Sequence, residues 1–122
     1  MNNSIHDIFS DKIGLKTWGD FWFLLCGFLD DFKRNPIYSR LEKEPDLNDP
    51  HMGSFLAASA EMLAYEYSLP IPDWVFLKKY YLNEPFFPGK FKGDYNIFLL
   101  RESPLEFRSR NIFVSSNVLS RV

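Results

Sequence analysis

The feature that most constrains the fold is an aromatic-rich stretch with helical spacing. Apolar residues recur at Trp18, Phe21, Trp22, Leu25, Phe28, Leu29 and Phe32. Steps of three and four place them on one face of a helix. Phe23, Leu24 and Cys26 widen that face, so the sequence predicts a helix at the centre of the molecule. Lys16 or Thr17 opens it. Lys33 and Arg34 suit its negative C-terminal end, and Asn35-Pro36 stops it near Arg34.

A second helix is predicted from Pro50 to about Ser68. Asp49 has the side chain of an N-cap, and Pro50 stands at the first helical position, where its missing N–H is harmless. Met52, Phe55, Leu56, Ser59, Met62, Leu63 and Tyr67 form its stripe. Ala57, Ala58, Ala60 and Ala64 add helix propensity and allow close contact.

The remaining elements are expected to be short. Ser4 caps a helix running to Phe9, with Asp7 three residues on in place of the usual Glu or Gln; Gly14 breaks it. Residues 36–50 read as a charged connector with a short helix across 37–43. Asp73 is placed to cap a short helix through Lys79. Residues 80–92 form an aromatic loop around Pro85-Phe86-Phe87-Pro88-Gly89, too apolar to stand free in water. Asp94 to Glu102 reads as helix, and Ser103 caps another, with Pro104 first and Glu106 third. Ile112-Phe113-Val114 suits a brief strand, and Ser116 a last turn through Leu119. Apolar side chains recur as far as Val122, so the C-terminal segment is expected to pack. The expectation is an all-α or mainly α fold: one helical domain over 1–122, with two long helices, several short ones and at most a brief C-terminal strand.

The 122 residues carry a net charge of −2, which gives no global attraction to nucleic acid or to anionic membrane. The single cysteine, Cys26, excludes an intramolecular disulfide and leaves a structural zinc site without its usual thiolates. A cytoplasmic setting fits. The N-terminal residues do not read as a signal peptide, and the apolar run Phe21 to Leu29 is too short to cross a bilayer.

Catalytic chemistry is not expected, and neither is a metal or another cofactor. His6 and His51 belong to no metal-ligand spacing and read as surface residues. Cys26, on an apolar helix face, reads as a buried, inert thiol. Asp30-Asp31 and Glu42-Lys43-Glu44 read as solvated faces. The spacing of Gly89 and Gly93 does not make a phosphate loop. The distinctive polar feature is Arg108-Ser109-Arg110. One reading makes these arginines structural ties, with Glu61 as a semi-buried partner. The other makes Arg108 and Arg110 a partner-binding surface together with Tyr80, Tyr81, Phe86 and Phe87, since arginine and large rings dominate interface energies.

Four segments together resemble a known domain: residues 55–64 (FLAASAEMLA), 69–75 (LPIPDWV), 86–89 (FFPG) and 103–114 (SPLEFRSRNIFV). The set is similar to an uncharacterised bacterial helical domain. In longer relatives that domain follows a helix-turn-helix of the phage-repressor type, in toxin–antitoxin-like operons beside nucleotidyltransferase-like proteins. The resemblance covers about residues 50–122. The chain departs from the long form before residue 50, where Trp18 to Phe32 is too apolar for a groove-reading helix pair. The resemblance therefore implies the partner-binding or dimerising portion.

The resulting expectation is a non-enzymatic protein–protein interaction domain, the antitoxin-like or regulatory member of a bacterial two-gene system. Its partner would be a nucleotidyltransferase-like toxin or a second copy of the chain, with no membrane or nucleic-acid role. The alternative is a small-ligand binder or enzyme with an aromatic pocket around Trp74, Tyr80, Tyr81, Phe86 and Phe87. A nucleic-acid-binding regulator is the third class, and it requires a continuous basic face.

Overall fold

The computed structural model describes residues 4–9, 17–47, 49–88, 102–115 and 118–119. Those residues are mainly helical. Four helices are defined among them: α1 (Ile5–Phe9), α2 (Trp18–Arg34), α3 (Pro50–Glu66) and α4 (Leu105–Arg108). Tight 3-10 turns cover Tyr38–Arg40, Asp73–Phe76 and Lys78–Tyr80. The predicted helix at 94–102 falls, apart from Glu102, outside the described residues, as do Gly14 and Ser116.

Local chemistry sets the starts of the first three helices. At α1 the Ser4 hydroxyl accepts from the Asp7 N–H at 3.1 Å, and the Asp7 carboxylate accepts from the Ser4 N–H at 3.3 Å. The Ser4 backbone donor foremost, and then the Ser4 side chain, hold the Asp7 carboxyl below its ordinary pKa. Thr17 and Asp20 make the same reciprocal box at α2, at 3.1 and 3.3 Å. At α3 the Asp49 carboxylate accepts from the His51 and Met52 N–H groups at 2.9 and 3.1 Å, behind Pro50. The end of α3 is a Schellman turn. Ser68 enters the left-handed region at φ 57°, and the Leu69 N–H reaches back to the Ala64 carbonyl at 2.8 Å.

The centre of the molecule is α3, not α2. Every residue from Met52 to Ala60 is buried, including Ser54 and Ser59. Small side chains on all sides of α3 let neighbours approach from every direction. Helix α2 is instead amphipathic. Phe21, Leu25, Phe28, Leu29 and Phe32 are buried, whereas Trp22 is 40% exposed and Phe23 78%. Cys26 is half-buried rather than buried. The wide apolar face read for α2 thus includes side chains that the fold leaves outside.

Phe55 of α3 is the meeting point of the aromatic core. Its ring lies 4.9 Å from Phe107, 5.7 Å from Phe21, 5.8 Å from Trp18 and 6.0 Å from Trp22, all edge to face. That arrangement places positive ring edges against negative faces. The 3-10 turns Asp73–Phe76 and Lys78–Tyr80 also pack on α3, as does α4.

Two short elements differ from expectation. Asp73 begins its turn inside the turn, with Pro72 at the cap position and no side-chain cap. Ser103 does not cap α4; Pro104 occupies that place. The Ser103 hydroxyl instead donates to the Val114 carbonyl at 3.0 Å and accepts from the Val114 N–H at 2.9 Å. This pins the C-terminal segment, in which Phe107, Ile112, Phe113, Val114 and Leu119 are buried. Among the described residues, the predicted strand there is reduced to one parallel bridge, Phe86 with Ile112. The Phe86 N–H donates to the Asn111 carbonyl and the Phe113 N–H to the Phe86 carbonyl, at 2.8 and 2.9 Å.

Close approach at Gly53 fixes the Lys78–Tyr80 turn on α3. A Cβ at residue 53 would lie 2.9 Å from the Tyr80 ring, and that ring is held by hydrogen bonds at both ends, as described below. Gly53→Ala therefore forces a clash that its better helix propensity, about 1 kcal/mol, does not repay. We expect a net loss of roughly 1–2 kcal/mol, measurable as a lower urea midpoint with an unchanged slope.

Candidate interaction surface

The six residues predicted to bind a partner do not form one surface. Arg110 is fully buried. Its guanidinium donates through one nitrogen to the Glu61 carboxylate at 2.7 Å and to the Glu106 carbonyl at 2.7 Å. The other nitrogen donates to the Val75 carbonyl at 2.8 Å. Its plane sits over Tyr81, 4.8 Å from the ring centroid. Among the described residues, Nε has no hydrogen-bond partner. Arg110 is thus withdrawn from any partner by its internal bonds, and the structural reading with Glu61 holds for it.

Tyr80 is likewise internal. Its hydroxyl donates to Glu44, its carbonyl accepts from the Ser54 hydroxyl, and its ring packs edge to face with Trp74 at 5.7 Å. Phe86 is half-buried between Trp18, at 5.3 Å, and His51, at 4.5 Å. Phe87 stacks on Phe113 at 5.3 Å, and Tyr81 is half-buried beneath Arg110. Trp74 donates from Nε1 to the Leu41 carbonyl at 2.9 Å. Of the five rings of the supposed pocket, only Trp74 and Tyr80 pack on each other; the others make contacts elsewhere among the described residues. Of the six named residues, Arg108 is the one that stands exposed.

Beside Arg108 stand apolar residues that the sequence reading left out. Leu105 shares its face of α4, one turn earlier, and is 66% exposed. The Arg110 guanidinium fixes three more points around it. Leu105 adjoins Glu106, Phe76 adjoins Val75, and Tyr65 lies one helical turn beyond Glu61 on α3. Phe76 is 51% exposed and Tyr65 76%, with Leu77 next to Phe76 also exposed. The clamp therefore ties together three elements, each of which carries an exposed apolar side chain next to or one turn from its clamped residue. Their signal in the sequence was negative: Tyr65 falls outside the α3 stripe, and Leu105 outside the buried side of α4 marked by Phe107.

A second polar cluster ties the connector to the core. Glu44 accepts from Tyr80 Oη and from Lys79 Nζ, the latter at 2.8 Å, while its backbone carbonyl accepts from His6 Nδ1–H at 2.8 Å. His6 thus reads as a structural donor. Burial pushes the Glu44 carboxyl up, but the Lys79 and Tyr80 hydrogen bonds and the Lys79 charge outweigh it and hold the group below its ordinary value. Burial, and then the Glu44 carboxylate, drive the Tyr80 phenol well above its ordinary value. Among the described residues, no group of three or more His, Cys, Asp or Glu side chains is placed to hold a metal ion. Nor is any described helix long and apolar enough to cross a membrane. Searches of protein-family models, curated proteins and solved structures found no match to this chain.

Two outcomes follow from the clusters. Arg110→Leu leaves the half-buried Glu61 carboxylate and two carbonyls without their donor, and should cost roughly 3–5 kcal/mol. Arg108→Leu should leave the melting temperature nearly unchanged. Parallel thermal melts of the two variants check this contrast. For Glu44 and Tyr80 the signs oppose one another. The depressed Glu44 pKa contributes stability above its ordinary value of 4.5, lost as the pH falls through the folded value. The raised Tyr80 pKa contributes stability that is complete below its ordinary value of 10.0 and is lost as the pH climbs toward the folded value. In a series of melts across pH, Glu44→Gln should flatten the acid limb and Tyr80→Phe the alkaline limb.

Proposed function

We propose that this chain is a non-enzymatic protein-interaction module, and that its partner contacts exposed apolar side chains on the elements that the Arg110 clamp joins. The observation that carries this reading is the exposure of Leu105, Tyr65 and Phe76 on the three elements that the Arg110 guanidinium ties together, with Arg108 exposed on the same short helix as Leu105. Single exposed apolar residues need no explanation, whereas an apolar cluster with a charged rim is typical of recognition surfaces. The clamp adds rigidity, and a preorganised surface loses little entropy on binding. Arg108 supplies a cation at the rim, which favours an acidic group on the partner and quickens encounter. The resemblance over residues 50–122 supports the same class. The finer reading, an antitoxin-like member of a two-gene system with a nucleotidyltransferase-like partner, rests on that resemblance.

The test is co-purification from native cells under quantitative detection, comparing the unaltered chain with Leu105→Asp and Arg108→Glu. Each variant should retain the helical circular dichroism of the parent and lose the same specific partner, because truncating a hot spot costs about 2 kcal/mol or more. A partner retained at parental levels by both variants would overturn the assignment. So would a substrate turned over by the purified chain and lost on a single substitution.

A further inference from the structure

We draw no further inference here: the strongest candidate, the outer face of α2 that leaves Trp22 and Phe23 exposed, is an unpartnered apolar face, and nothing in the structure shows what covers it.

Discussion

The described fold depends on where two guanidinium groups sit. Arg110 and Arg40 are both fully buried, and each binds backbone carbonyls near the end of a helix. Arg110 joins Glu61 of α3, Val75 in the Asp73–Phe76 turn and Glu106 of α4. Arg40 folds back from its 3-10 turn to donate to the Asp31 carbonyl, at 3.0 Å, and the Asn35 carbonyl, at 3.4 Å, at the end of α2. It lies over the Phe28 and Phe32 rings, 5.6 and 6.0 Å from their centroids. Taking a cation out of water is costly, and these sites offset the cost with carbonyls, carboxylates and ring faces. Hydrophobic burial around Phe55 supplies the drive to collapse but is indifferent to direction. The arginines are directional. They fix which loop meets which helix end.

The long helices were legible because their limits are local. Thr17 with Asp20, three residues on, and Asp49 with the adjacent Pro50 mark helix starts through near neighbours. What the sequence hid was the ranking of the two helices. An apolar count favours α2, with its many rings, over α3, with its alanines and serines. Burial follows neighbours rather than ring count. Ser59 satisfies its hydroxyl on the Phe55 carbonyl at 2.8 Å, and Ser54 on the Tyr80 carbonyl. Each can then be buried without penalty. No periodicity reveals that, since the Tyr80 partner stands 26 residues away.

The same limit governs the candidate surface. Arg108 and Arg110 look equivalent in the sequence, two residues apart. On a helical turn that spacing sends them to different sides, and Glu61 is an acidic partner for one of them. Which one could not be read from spacing alone. Arg40 lies within a charged connector, where charge alone reads as solvated. A signal did exist: α2 ends at Asn35-Pro36 with carbonyls that need donors, and Arg40 is the first arginine beyond that stop. Ser103 was read as a cap from its place before proline. Its real partner, Val114, is eleven residues on.

The Glu61–Arg110 pair spans 49 residues of chain, and that separation bears on how the protein comes into being. Loops of that length close late, because much chain must be ordered before the contact is made. Helices α1 to α3 contain their own caps and can form as they emerge from the ribosome. Until residues 107–114 follow, Phe55 lacks the Phe107 ring, Glu61 stays solvated and the flank of α3 stays open. A nascent chain therefore passes through an interval with an unsealed aromatic core, in which it is prone to association with other chains. The last-formed clamp closes that interval, and conditions that slow its formation should be felt first as loss of soluble yield rather than as loss of helix.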